Sequence, residues 1–207
     1  MRNIKILLIF LIIVLLAGCN TKTLPPIKKY TIDDKIDIAI ATDKIPECKN
    51  IKISFPQSSN EIFSKNIIYQ KGLQKNSYYF SKWYETPNEM LYKLVLFSLQ
   101  KKEICKMILP EDISISTQYD LNSNILDFSQ KFINKQSYGE VKILFYVKNS
   151  KGDLIAQKLF DEIVKCKSKD AKGGVDALNK ASKKITLSLI GWLENIVKHP
   201  IKGNTNQ

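Results

Sequence analysis

Alternation between apolar and polar residues limits the fold of this chain more than any other feature of its sequence. It runs over Ile51–Phe55, Ile113–Leu121 and Val141–Val147. Side chains of a β-strand point alternately to its two faces, so each run predicts a strand with one buried face. The turn-forming residues Asn149–Asp153 then lead into a further strand predicted over Leu154–Val164. This pair predicts an antiparallel hairpin.

Two other segments have helical character. Thr86 is a suitable N-cap, Pro87 suits the first helical position, and Glu89 can complete a capping box, so a helix is predicted from there to about Lys101. Its apolar residues cover most of the circumference, and we expect it to be covered on more than one side. Apolar steps of three and four predict a second helix from about Ala171 to Val197. The predicted class is α+β, a single, largely antiparallel sheet with two helices packed on one face.

The N-terminus has the layout of an exported protein. Arg2 and Lys5 precede an unbroken apolar run, Ile6–Leu16, and the small residues Ala17 and Gly18. A membrane-spanning helix needs about 20 apolar residues, so this shorter run indicates a cleaved signal peptide.

The four residues Leu16, Ala17, Gly18 and Cys19 resemble the lipobox of bacterial lipoproteins. In that motif the cysteine receives a diacylglycerol and an N-acyl chain, and signal peptidase II recognises the three preceding residues and cuts before the cysteine. Several acyl chains hold a protein stably on a bilayer. The residue Asn20 follows where aspartate favours retention in the inner membrane under the enterobacterial sorting rule, so we expect an outer-membrane anchor that faces the periplasm.

These features divide the chain into four parts. We predict a lipoprotein signal peptide over residues 1–18, a lipid-anchored flexible tether over 19–35, one folded domain over 36–200 and a polar tail over 201–207. The prolines Pro25 and Pro26 support an extended tether.

Charge and composition argue against several classes of function. The formal net charge of +12 falls by two, to +10, when the segment carrying Arg2 and Lys5 is removed, and every remaining positive charge is lysine. Lysine is a poor bidentate reader of phosphate, so no nucleic-acid partner is expected. Solvated lysine-rich faces are the simpler interpretation, with attraction to anionic headgroups as the alternative.

The remaining cysteines Cys48, Cys105 and Cys166 cannot all pair, and one disulfide plus one buried thiol is expected. They form no Cys-x-x-Cys motif, and the lone histidine His199 lies outside any periodic segment, so we expect no metal, no cofactor and no catalytic residue. Nucleophile-elbow, Walker and zinc-protease motifs are also missing from the sequence.

The body of the chain resembles the ABC-type transport auxiliary lipoproteins, the family that includes the paraquat-inducible protein C lipoproteins. The resemblance follows the order of short motifs behind the lipobox, and at Lys82 the chain departs from the arginine of many members. The motifs are Tyr30-Thr31-Ile32, Ile67-Ile68-Tyr69, Tyr78 to Trp83, Pro87 with Met90-Leu91, Tyr119-Asp120-Leu121, Ile125 to Phe128, Ala177-Leu178-Asn179 and Gly191-Trp192-Leu193.

The resemblance implies a non-enzymatic component of a lipid transport system between the inner and outer membranes, with an Mce-domain periplasmic protein as partner. A structural or assembly lipoprotein, of the secretin pilotin or peptidoglycan-synthase activator type, is the alternative, and a periplasmic hydrolase is a third. Homo-oligomerisation stays open. As candidate contacts for a partner or lipid we name Trp83 and Tyr84, with core packing as the favoured alternative.

The lipobox generates the first testable prediction. The change Cys19→Ser should abolish both processing by signal peptidase II and incorporation of labelled fatty acid, because the acceptor sulfur is lost. Fatty-acid labelling of immunoprecipitated protein measures this, and unchanged labelling would rule out Cys19 as the lipid site.

Overall fold

A 15-residue strand, β7 (Tyr119–Ile133), is the centre of the sheet in the computed structural model, which describes residues 23–33, 35–38 and 48–199. Alternate residues of its first half are buried, and a β-bulge between Ile125 and Asp127 then shifts the register against the neighbouring strand. The bulge brings Phe128, which is 2% exposed, to the buried face in place of the charged Asp127.

The described residues form eleven elements in chain order. They are β1 (Lys28–Tyr30), β2 (Cys48–Ile53), β3 (Gln57–Ser58), β4 (Asn66–Lys71), β5 (Gln74–Trp83), α1 (Pro87–Lys102), β6 (Cys105–Leu109), β7, β8 (Gln136–Asn149), β9 (Leu154–Lys165) and α2 (Ala171–Lys198).

Along one edge β7 pairs with β8, which is the first strand of the predicted hairpin. Antiparallel pairing joins β7 to β8 through a two-residue turn, Asn134 and Lys135, and both turn residues have positive φ. Such a turn matches the twist of the strands. The strand β8 pairs with β9 through the turn predicted at Asn149–Asp153, in which the Asn149 side chain accepts hydrogen bonds from the backbone N–H groups of Lys151 and Asp153. The predicted antiparallel hairpin is confirmed.

The other edge of β7 is parallel and is shared by three short strands. From the start of β7 to its end, β2, β3 and β4 pair with it in succession. The strand β6 extends the sheet beyond β2, and β5 and then β1 extend it beyond β4. The α+β class is therefore confirmed. The sheet is mixed where a largely antiparallel one was expected, because the chain passes through α1 and then returns in β6 and β7, which run parallel to β2.

The helix α1 begins where the sequence predicts. The Thr86 hydroxyl accepts a hydrogen bond from the Glu89 backbone N–H, and the Glu89 carboxylate accepts one from the Thr86 backbone N–H at 2.7 Å. This is a complete capping box. The helix ends at Lys102, and the left-handed residue Glu103 returns its N–H to the last turn.

The helix α2 packs across the sheet on the same side as α1. The side chain of Asp170 caps its first turn by accepting from the Gly173 N–H at 2.8 Å. The predicted apolar stripe faces inward, with Leu178, Ala181 and Leu189 fully buried. Neither helix of the described part of the chain is long and apolar enough to cross a membrane.

The strand predicted from Ile113 begins later, at Tyr119. Side-chain amides replace the strand ladder before that point, because Asn50 Oδ1 accepts from the Gln118 backbone N–H at 2.7 Å and Gln118 Oε1 accepts from the Lys49 backbone N–H at 2.8 Å. The segment before Tyr119 lies outside the strand ladder, and Ile113 and Ile115 are 38% and 49% exposed.

The bounds predicted for the flexible tether, residues 19–35, include residues that belong to the folded body. Backbone pairing places β1 beside β5, and Ile32 is 6% exposed in the core. The Asp33 carboxylate forms an ion pair with Lys183 at 2.5 Å on α2, and that hydrogen bond lowers the pKa of the carboxyl. Only residues before Lys28 are left to act as a tether.

The cysteine prediction is confirmed as one disulfide and one free thiol. A disulfide joins Cys48 to Cys105, which are register partners at the start of β2 and β6, and Cys166 is free and half-buried. The sequence separation of 57 residues gives the disulfide a long loop to restrict in the unfolded chain, an effect of about 2–4 kcal/mol.

Close contact between α2 and β8 generates the second prediction. A Cβ at Gly139 would lie 2.7 Å from the Leu178 backbone nitrogen and 2.8 Å from Ala177 Cβ, whereas a Cβ at the exposed Gly191 would meet nothing within 4 Å. We expect Gly139→Ala to lower the free energy of unfolding by about 1–3 kcal/mol. The matched change Gly191→Ala should raise it by roughly 0.5–1 kcal/mol through helix propensity. Urea unfolding of both variants measures this, and equal effects would contradict the close packing.

Candidate functional site

The predicted lipidation site, Cys19, lies outside the described residues, and so do the three residues before it, Leu16, Ala17 and Gly18. The chain that follows is described from Thr23, and Thr23–Ile27 is exposed, with Leu24 at 71% and Ile27 at 55% exposure. Lipidation of Cys19 therefore stays a prediction from the sequence.

The two candidate aromatic contacts have different environments. The ring of Trp83 is 1% exposed and lies 5.6 Å, centroid to centroid, from Phe128. The next residue, Tyr84, is 61% exposed, and Lys29 Nζ lies 6.0 Å from its ring centroid. Trp83 is thus a core residue and has no surface to offer a partner, whereas Tyr84 is on the surface beside β1.

The unusually apolar helix α1 is covered mainly by this chain itself. The backbone N–H of Ile32 donates to Met90 Sδ at 3.3 Å, and Lys101 Nζ donates to the Ile36 carbonyl at 3.0 Å, so the segment after β1 lies along the helix. Of the apolar residues of α1, Phe97 is the one left 47% exposed. Coverage on more than one side is confirmed, and it needs no partner protein.

The cavities beside α1 differ in size and polarity. The crevice between the helix and the sheet, beside Leu91 and Leu121, has a volume of about 10 Å³. That is room for about one water molecule, so no acyl chain fits there. An open groove of about 600 Å³ lies on the other side, lined by Ile36, Phe97 and Lys101 among others.

A polar cluster is buried under the start of α2. The Tyr78 hydroxyl donates to Gln130 Oε1 at 2.7 Å, and Gln130 Nε2 donates to Cys166 Sγ at 3.7 Å. Burial raises the pKa of Tyr78 to about 12 and also raises the pKa of the Cys166 thiol. Both groups are therefore held in their protonated forms near neutral pH, in which a thiol is a weak nucleophile.

The sheet face opposite the helices, which we call the open face, carries a row of ion pairs. Lys131 binds Asp127 at 2.5 Å and approaches Glu140 at 3.9 Å, and Lys142 binds Asp161 at 2.7 Å and Glu140 at 3.5 Å. Each carboxylate of the row has a lysine partner on its own or an adjacent strand, so these ion pairs connect β7, β8 and β9 on the open face.

Ligand sets for metal ions are not found in the described ranges, where no three His, Cys, Asp or Glu side chains come together. His199 follows α2 as its C-cap residue, and its backbone N–H donates to the Asn195 carbonyl at 3.1 Å. The row of ion pairs and the cluster around Gln130 were not predicted. Charged residues at alternate positions of β7 and β8 were the available signal, but their partners depend on strand register.

The sequence matches no known family model, and no curated protein matches it. Solved structures do match. A Xanthomonas campestris protein of family DUF330 superposes with a TM-score of 0.72 at 15% identity, covering 83% of this chain and 96% of that one. An uncharacterized protein gives a TM-score of 0.63 at 10% identity, with 82% and 99% covered. A hypothetical protein from Chlamydia trachomatis gives 0.50 at 9% identity, with 72% and 98% covered. At these identities the likeness shows a shared fold.

The adjacent aromatics generate the third prediction. We expect Trp83→Ala to lower the free energy of unfolding by about 3–5 kcal/mol, because it leaves a cavity beside Phe128. The matched change Tyr84→Ala should stay within about 0.5 kcal/mol of the parent. Denaturant unfolding of the two variants tests the assignment, and a large loss for Tyr84→Ala would place that ring in the core as well.

Proposed function

We propose that this chain is a lipid-anchored, non-enzymatic auxiliary lipoprotein of an ABC-type lipid transport system, held at the outer membrane and facing the periplasm. One observation carries the proposal, the lipobox at Leu16–Cys19 followed by a body with the resembling motifs in family order. The lipobox supports the anchor, and the resemblance supports the transport role and an Mce-domain partner.

Several of the resembling motifs fall on residues that hold the body together. Trp83 and Leu91 are core residues. Ala177 and Leu178 lie against Gly139, where α2 packs closely on β8. Residues that pack together in one core are the ones that a shared fold requires. Their positions in this chain support the resemblance, and the transport role is taken from that resemblance.

The contacts of the ionisable groups favour a binding role. A general base or nucleophile has to exchange protons at working pH. On the open face, Asp127 and Asp161 are each bound by a lysine, and burial raises the pKa of the Cys166 thiol. These groups are arranged to hold structure and charge.

For the partner we propose the open face as the contact surface. Leu159 and Ile163 on β9 are 50% and 55% exposed there, next to the row of ion pairs. Apolar side chains surrounded by polar ones are the usual composition of a protein interface. The helix side is less suitable, because Phe97 is the one apolar side chain of α1 that is left largely exposed.

In-cell crosslinking provides the fourth prediction. A photo-crosslinking amino acid at Leu159 should recover an Mce-domain protein, because that position faces outward from the open face. The matched position is Leu187, which is 46% exposed on α2 and should not recover that protein. Deleting the gene should weaken the outer-membrane barrier to detergents as much as deleting the partner does.

Two results would contradict the proposal. Recovery of secretin or peptidoglycan-synthase subunits alone would favour a structural lipoprotein. Turnover of lipid, peptide or glycan by the purified protein, lost on changing one acidic or hydroxyl residue, would make it an enzyme.

A further inference from the structure

The direction of β1 determines where the lipid tether leaves the body. The strand runs parallel to β5, with Lys28 opposite Ser81 and Tyr30 opposite Trp83. Chain that precedes Lys28 therefore leaves toward the earlier residues of β5, and the β4–β5 turn lies in that direction.

Two hairpin turns meet at this end of the sheet, which we call the hairpin end. Lys71 at the end of β4 is the register partner of Phe132 near the end of β7, so the β4–β5 turn lies beside the β7–β8 turn. The segment that leads into α2 joins them, because the Cys166 backbone N–H donates to the Ser137 carbonyl at 2.9 Å and the Ser137 hydroxyl donates to the Ser168 carbonyl at 3.3 Å.

The direction of β1 and the length of the tether together favour the hairpin end as the end nearest the bilayer. Eight residues separate Cys19 from Lys28, and fully extended they span about 30 Å. The seven steps along β5 from Ser81 back to Gln74 cover about 23 Å. An acylated Cys19 can thus pass the hairpin end by only a few ångströms. The opposite end of the sheet lies in the direction away from the one in which the chain leaves β1.

The hairpin end presents apolar tips among lysines. Leu73 is 100% exposed at the β4–β5 turn, and Ile133 is 51% exposed beside it. The exposed lysines of this end are Lys71, Lys75, Lys135, Lys165, Lys167, Lys169 and Lys172. Of the acidic side chains near this end, Glu61 pairs with Lys75 at 3.0 Å and Asp170 caps α2, while the exposed Asp176 lines a groove with Lys167. The lysines outnumber them.

We propose that the hairpin end rests on the anionic lipid surface to which the protein is anchored. The two apolar tips reach the boundary between headgroups and acyl chains, and the lysines bind phosphatidylglycerol-type headgroups. In this orientation the end of the sheet meets the bilayer, and the open face is not covered by it. This inference rests on the lipid anchor of the proposed function, and it does not depend on the Mce-domain partner.

Vesicle binding of the full mature chain carrying Cys19→Ser isolates the contribution of the hairpin end, because no acyl chain is present. We expect flotation with vesicles that contain phosphatidylglycerol, and little with vesicles of phosphatidylcholine alone. Lys135→Glu should weaken the partition by roughly fivefold or more. Lys151→Glu, the same change in the β8–β9 turn at the opposite end, should leave it unchanged.

Chemical acetylation of lysine side chains in the lipid-anchored protein tests the orientation. On phosphatidylglycerol vesicles Lys135 and Lys167 should react several-fold more slowly than Lys151, and on phosphatidylcholine vesicles the difference should shrink. Equal reactivity of the three lysines on anionic vesicles, or equal loss of flotation in Lys135→Glu and Lys151→Glu, would overturn the proposal. Failure of fatty-acid labelling at Cys19 is a separate result that removes the anchor, and failure of crosslinking removes the partner without affecting vesicle binding.

Discussion

Pairing of β7 along both of its edges is the interaction on which the rest of the structure depends. On one edge β8 follows it for its whole length, and on the other edge β2, β3 and β4 use successive parts of it. The bulge after Ile125 is what permits such a long strand, because it returns Phe128 to the core while Asp127 stays on the open face. Without it, a strict period of two would bury the carboxylate at a high cost in desolvation.

Helix packing follows from this sheet and leaves its two faces chemically different. Gly139 lets the backbone of α2 approach β8, and the backbone at Ile32 and Ile36 lies along α1. The apolar face of α1 is therefore covered mainly by the chain itself, and the open face retains exposed leucine and isoleucine beside paired charges. Under the proposed function, this division would keep the core intact while the open face meets a partner.

The shared fold at 15% identity has a physical explanation in the same features. Strand pairing requires alternation and helix packing requires periodic apolar steps, and many different residues satisfy both. Contacts that tolerate fewer substitutions, such as the glycine under α2 and the indole of Trp83, are confined to a few positions. Function is a separate matter, since it depends on the side chains of the exposed surfaces, which a common fold does not determine.

Local sequence determined the two helices, the capping box at Thr86 and the hairpin at Asn149–Asp153, because each depends on residues a few positions apart. Only the tertiary structure decided the start of β7 at Tyr119, the Cys48–Cys105 pairing and the different environments of Trp83 and Tyr84. It also decided that the body begins at Lys28. These outcomes depend on contacts between residues tens of positions apart, above all the parallel strands that meet along β7. Periodicity tells that a strand has a buried face, but it carries no information about which strand lies beside it.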